Sequence, residues 1–463
     1  MESIVRVSSL TLKNIKNVKN GTISMPLANV KDANWRKAEV LGIYGQNGSG
    51  KTAIIDTFDL LRNIILGQRL DPKTIDYIDT DSSNAEIIIE FKIFQDNKLY
   101  EVGYCIALTK LENDVIVEKE YLNCAVNSIS GRTSKNKFIE YDRNASLNVF
   151  TPLKKLEQVI NKDKEIKMNL LVAKKMAEKN NCSYIFGEDS RNILCSRENT
   201  EFKEYSRIIG ILFEFALKNL FVINNSHSGV ISANISLPMA FRVGNDSKGM
   251  RGDLVVSMTD AFKINDEDKI LLEEIIGQIN TVLYTIIPNM RLEIKDYGRQ
   301  SLDSGEDGWK VELMSVRGDK KPIPIRMESE GIIKIVSIMN VLIQAFGNPS
   351  ICLVIDELDS GIFEYMLGEL LDVFNKNGKG QLIFTSHNLR ALEMLDSDNI
   401  MFSTVNAENR YIHMKNVKGS NNLRKMYIRS ITLGGQQERV YEETDSLKIA
   451  RAFRKAGRSL SNG

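Results

Sequence analysis

Histidine and cysteine are both scarce in this chain of 463 residues, which has three of the first and five of the second. Cys105, Cys124, Cys182, Cys195 and Cys352 stand singly, with no two at C-x-x-C spacing, which excludes a disulfide scaffold and a thiolate zinc site. Reduced thiols in a cytoplasmic protein are the expectation. His227, His387 and His413 are too few and too scattered for a histidine zinc centre. With 8 Pro and 30 Gly, the chain is neither collagenous nor low in complexity. An excess of one charge is missing too: 61 Lys plus Arg face 60 Asp plus Glu, a formal charge of +1. Any nucleic-acid contact must therefore come from a local patch. Long apolar runs are absent: residues 336–346, among the longest, contain Ser, Asn and Gln and fall short of the ~20 residues that span a bilayer. The first residues carry neither a basic segment nor a long apolar one, so no signal peptide and no membrane span are expected.

What remains is ordinary globular material, 43% hydrophobic and 26% charged, enough for two to four units at roughly 100–200 residues each. Residues 4–12 and 22–25 alternate polar and apolar, as in an opening β-hairpin. Residues 40–44 form a short apolar run before a Gly-rich turn, and residues 53–66 then take helical spacing. Three strand-like runs between 86 and 126, with polar separators, predict an antiparallel meander. From about 151 the chain turns rich in Lys, Leu, Met and Ala, predicting helices over 152–180, 201–219 and 266–287. Their apolar positions hold no heptad over three or four repeats, which excludes long coiled-coil arms. After strands over 291–327, residues 331–384 alternate helix and strand in the βαβ manner of a mostly parallel sheet.

Three motifs carry chemistry. Gly45-Gln46-Asn47-Gly48-Ser49-Gly50-Lys51-Thr52 is a full G-x-x-x-x-G-K-[ST] phosphate loop between a strand and a helix. Its small residues let backbone N–H groups curl around an anion at a positive helix N-terminus. Lys51 reaches the β- and γ-phosphates and the Thr52 hydroxyl ligates Mg²⁺. Residues 351–357, Ile-Cys-Leu-Val-Ile-Asp-Glu, are a buried strand ending in two carboxylates: Asp356 for the metal and Glu357 to polarise a water. Thr385-Ser386-His387 follows the next strand, one βαβ step on, where His387 faces the same nucleotide edge.

In this order the motifs resemble the ABC-type ATPases. The resemblance implies ATP and Mg²⁺ as ligands, ATP hydrolysis, and a site completed from a second copy by a Ser-x-Gly signature at a helix N-terminus. Here the match is Ser329-Glu330-Gly331, with Ser329 and Gly331 as the residues acting in trans and Asp359 in the loop that lines the dimer seam. The transporter form Leu-Ser-Gly-Gly-Gln is absent, and Glu330 stands where that form has glycine. The other reading of Ser329 is an ordinary helix N-cap. No Asn-Lys-x-Asp guanine motif stands after a strand, which favours adenine.

The matching stretches, about 5–130 and 310–405, flank some 180 residues of other sequence. A split core of this kind resembles the SMC/RecF/OLD group, and among these the stand-alone bacterial ATPases of phage-defence systems. The implied fold is α/β, an ABC-ATPase head with a mixed sheet around the phosphate loop and an antiparallel β meander, interrupted by a mainly helical insertion. The expected division is 1–150 for the first half of the core, 151–290 for the insertion, 291–410 for the second half and 411–463 for a basic tail. Implied partners are a second copy or a larger homo-oligomer and a separate nuclease or toxin effector; a RecF-like repair ATPase and a slow-turnover scaffold are the alternatives. The tail holds eleven Lys or Arg against four Asp or Glu, among them Lys448, Arg451, Arg454, Lys455 and Arg458 on a final helix expected to close at Gly457. It reads either as a solvated basic face or as a contact for DNA, RNA or an acidic protein.

Overall fold

The computed structural model describes residues 3–461 apart from 31–33, 113, 129–130, 146–147, 161–162, 196–202, 225–234, 244–249, 303–304, 415–422 and 434. Strands and helices are numbered separately along the chain. A central six-stranded sheet runs in the order β19 (Tyr411–Ile412), β18 (Ile400–Ser403), β3 (Glu39–Tyr44), β17 (Gln381–Thr385), β16 (Cys352–Ile355) and β9 (Leu220–Ile223). All its pairings are parallel except β18 with β19. Its strands are continuous apolar runs because both faces are covered. Successive side chains point to opposite faces. Leu41, Ile43, Cys352, Val354 and Ile383 therefore enter one core, and Val40, Tyr44, Leu353, Ile355, Leu382 and Phe384 enter the other.

The first core is closed by an antiparallel sheet of β2 (Val18–Ser24), β1 (Ile4–Ile15), β4 (Asn84–Gln95), β5 (Lys98–Leu111) and β6 (Asp114–Ser128), extended by the short β7 (Gly131–Arg132) and by β8 (Asn136–Asp142), which also pairs with β6. Helix α1 (Lys51–Ile65) lies in that core through Ile54, Ile55, Phe58, Leu61 and Ile65. The second core is roofed by α6 (Asp266–Ile286), α7 (Glu330–Gly347) and α8 (Glu364–Asn377). A further sheet of β12 (Phe262–Ile264), β14 (Asp307–Arg317), β13 (Met290–Ser301) and β15 (Ile323–Pro324), together with the hairpin β10 (Ser236–Val243) and β11 (Met250–Ser257), flanks it. Helix α7 has the length and mean hydropathy, 1.4, to cross a bilayer, yet 67% of it is buried in this core.

Between β8 and α6 the chain forms α2 (Leu153–Ile160), α3 (Lys164–Asn180), α4 (Glu188–Leu194) and α5 (Lys203–Lys218). Two buried ionisable side chains fasten this segment to the meander. Lys174 donates to the carbonyls of Asp142, Ala145 and Asn148 at 2.7–2.9 Å. Glu120 accepts from the Tyr104 and Ser183 hydroxyls and from the N–H groups of Tyr184 and Ile185. The interval 151–290 is not uniformly helical, however. Leu220–Ile223 leaves α5 as an edge strand of the central sheet, and β10–β12 follow.

After the short α9 (Ala391–Met394), the chain supplies β18 and β19, then α10 (Leu423–Leu433) and α11 (Ser446–Ser461). Two expectations for the tail need correcting. Tyr411, counted with the tail, is a buried member of the central sheet, and α11 continues through Gly457 instead of closing there.

Candidate active site

The phosphate loop joins the end of β3 to the start of α1, and its backbone needs glycine. Gly48 and Gly50 have φ of +77° and +88°, the left-handed region that a side chain disfavours. A Cβ at Gly45 would lie 1.8 Å from the Ser403 hydroxyl. Neighbours far away in sequence hold the loop. The Asn17 amide donates to the Gly48 carbonyl, and the Tyr411 hydroxyl donates to the Gly50 carbonyl at 2.6 Å. Ser403 also adjoins the Ser49 hydroxyl and donates to the Tyr44 carbonyl at 3.1 Å. Lys51 Nζ donates to the Gly45 and Gln46 carbonyls at 2.9 and 3.0 Å. Burial pulls this ammonium below its ordinary value, and the carboxylates of Asp356, Glu357 and Asp359 oppose that pull.

The two carboxylates sit where β16 ends. The Asp356 N–H donates to the Ile223 carbonyl at 2.9 Å, so the edge strand β9 sets the position of Asp356. Thr385 joins the pair: its hydroxyl donates to Asp356 Oδ1 and accepts from the Glu357 N–H at 2.7 Å. Glu357 adopts a left-handed conformation, φ +47°, and the Lys334 ammonium donates to its carbonyl. Asp356 Oδ2 is buried with no hydrogen-bond partner among the described residues. A buried orphan carboxylate oxygen beside a phosphate loop fits a metal ion, directly or through water.

One cavity of ≈ 440 Å³ is lined by Asn47, Gly48, Gly50, Lys51 and Thr52 together with Asp356, Glu357 and His387. The phosphate loop thus meets, in one space, two motifs that lie more than 300 residues further along the chain. The His387 N–H donates to Asp359 Oδ2 at 3.0 Å, fixing the base of the imidazole. Burial and the neighbouring Lys51 charge lower the imidazole from its ordinary 6.5, against the pull of Asp359, Glu357 and Asp356. The ring is accordingly neutral at pH 7, able to donate from one nitrogen and accept at the other. With only three histidines, the Cε1–Hε1 NMR signals can be assigned by comparison with His387→Ala. The signal lost in that variant should titrate below pH 6.5; a midpoint above 6.5 would show that the carboxylates outweigh burial and the Lys51 charge.

Ser329 and Gly331 do not line this cavity. Ser329 occupies the N-cap position of α7, yet its hydroxyl makes no capping hydrogen bond, and the residue is exposed. Gly331 is packed within its own chain: a Cβ there would fall 1.8 Å from the Gly361 carbonyl oxygen. Of the two acidic neighbours of Ser329, Glu328 is turned away. Its carboxylate is held by both arms of Arg317, at 2.6 and 3.2 Å, and by the Ser315 hydroxyl at 2.6 Å.

Asn17, Thr385, Ser403, Tyr411 and Lys334 all serve the site without belonging to a phosphate-loop or acidic-strand pattern. Only Thr385 carried a signal, as the first residue of Thr385-Ser386-His387.

No protein-family model matches the chain, and no curated protein matches its sequence. Among solved structures, it is similar to an Smc head domain with an extended coiled coil bound to the C-terminal domain of ScpA, from Pyrococcus furiosus. That match has 14% identity and a TM-score of 0.39 over 92% of this chain and 98% of the other. An SmcHead bound to the C-winged helix domain of ScpA matches at 14% identity and a TM-score of 0.41, over 88% and 98%. The SMC head domain from Thermotoga maritima matches at 13% and 0.34, over 89% and 99%.

Proposed function

We propose that this chain is a Mg²⁺-dependent ATPase of the ABC type that closes as a head-to-head dimer around ATP. The observation that carries the reading is the meeting of the phosphate loop, Asp356, Glu357 and His387 around one cavity. Amides of residues 48–52 at the α1 N-terminus bind the phosphates, and Lys51 neutralises their charge. Thr52 and Asp356 would hold Mg²⁺, which when bound would polarise the terminal phosphate. Glu357 orients the attacking water and takes its proton. His387, kept neutral, hydrogen-bonds the terminal phosphate or that water. Ser329 of a second copy, its hydroxyl free of any capping bond, completes the site. On the resemblance set out above, opening and closing would control a separate nuclease or toxin in antiphage defence.

The test is the solution mass of Glu357→Gln with and without Mg-ATP. Doubling on ATP is expected, and Ser329→Arg in the same background should abolish it. A monomer under both conditions would sink the dimer. A mass above a dimer without nucleotide would replace it with a standing scaffold.

A further inference from the structure

Helix α11 has a divided surface and little to rest on. Ile449 and Phe453, four residues apart and so on one face, are 45% and 76% exposed. Lys448, Arg451, Arg454 and Lys455 lie around the opposite side, and residues 446–461 contain no Asp or Glu. A helix with an apolar stripe and a basic back is built to lay that stripe against something.

The same chain carries a groove of matching character. It is ≈ 460 Å³, runs between α7 and α8 with Val282 and Ile286 of α6 along one side, and is floored by Ile335, Met339, Leu342 and Phe346 with Val373 on its flank. Val373 is 52% exposed, and Glu369 lines the groove. On α8, Glu364, Glu369 and Asp372 outnumber the single Lys376. The floor from 335 to 346 extends about 16 Å, within the roughly 24 Å of a sixteen-residue helix.

The route to it is also present. Gln46 of the phosphate loop clasps the backbone of Glu442, accepting from its N–H at 2.9 Å and donating to its carbonyl at 3.5 Å. Val440 beside it is buried in the second core. Helix α11 begins four residues later, no more than about 14 Å of chain from the loop. The groove begins at Ile335 and Ile362, next to the contact of Gly331 with Gly361. When a phosphate loop faces Ser329 of a second copy, the root of one tail and the mouth of the other's groove meet at the same seam.

We infer that α11 of one copy docks its Ile449 and Phe453 stripe in the α7–α8 groove of a second copy, its basic back turned outward within the field of the net acidic charge on α8. This inference rests on the head-to-head closure proposed above. It makes the tail a clasp whose anchor touches the phosphate loop, in place of a nucleic-acid contact.

The experiment uses the full chain with Glu357→Gln, adding Phe453→Cys and Val373→Cys, with a short bismaleimide linker and Mg-ATP. A covalent dimer is expected above the level of either single cysteine variant, and Phe453→Asp should weaken ATP-induced dimerisation at least tenfold. A dimer by mass without interchain linkage would overturn the docking and leave the closure standing. No dimer at all would overturn both. Linkage within one chain would assign the helix to its own groove. Phe453-dependent sedimentation with phosphatidylserine vesicles, without linkage, would assign the stripe to a lipid surface. Either of those outcomes overturns the inference.

Discussion

Replacing Glu357 by Gln is expected to lower kcat for ATP hydrolysis by about 10²–10⁴-fold, the usual contribution of a positioned general base, while ATP still binds. The expectation follows from placement. Glu357 lines the same cavity as Lys51 and Thr52, and its backbone is held from two sides, by Thr385 at the N–H and by Lys334 at the carbonyl. A residue at φ +47° that is not glycine keeps such a conformation only where its surroundings impose it. Thr385→Val tests that control separately. It leaves the Glu357 N–H and Asp356 Oδ1 without their shared partner, a loss of about 1–3 kcal/mol. If half of that reaches the transition state, kcat falls by a few-fold to about tenfold, since 1.36 kcal/mol is a factor of ten. Wild-type turnover in Glu357→Gln would show that another group activates the water. An unchanged rate in Thr385→Val alone would show that Lys334 suffices to hold the carboxylate's backbone.

Some of this was legible in the sequence because local and tertiary demands coincide there. The phosphate loop is spelled by glycines that the backbone needs at Gly48 and Gly50, and β3 and β16 read as strands because burial on both faces leaves an unbroken apolar run. The short β9 was not legible for the opposite reason. Leu220–Ile223 directly follows the apolar face of α5, and four apolar residues carry no period of their own. Their identity as a strand comes from pairing with β16, more than 130 residues away. The same holds for Tyr411 and Ser403, whose service to the phosphate loop spans some 350 residues and leaves no local trace. Gly457 misled because a glycine signals a helix end only where the chain turns, and α11 runs straight through it. Ser329 reads as either cap or ligand; its hydroxyl makes no cap bond, a lack that only the folded chain reveals.

Arg6→Met is expected to destabilise the folded chain by about 3–5 kcal/mol, the cost typical of stripping one partner from a buried ion pair. Arg6 and Glu39 are 1% and 2% exposed, with Nε to Oε2 at 3.1 Å. The remaining guanidinium nitrogens donate to the carbonyls of Pro349, Lys379 and Lys37. Gln381 closes the node by donating to Glu39 Oε2 at 2.9 Å and exchanging hydrogen bonds with the Val7 backbone at 2.8 Å. Arg6 and Gln381 together therefore tie β1 of the antiparallel sheet to β3 and β17 of the parallel one. Methionine matches much of its volume but leaves Glu39 charged and without its cation. Urea unfolding should show a lower midpoint, and Glu39→Gln added to Arg6→Met should recover part of the loss by removing the orphaned charge. A cost below about 1 kcal/mol would mean that solvent reaches Glu39 once Arg6 is gone. Glu39 begins β3 and Tyr44 ends it, so the node stands roughly 17 Å from the phosphate loop. Arg6→Met should for that reason lower stability while leaving kcat per folded molecule unchanged, the reverse of Glu357→Gln.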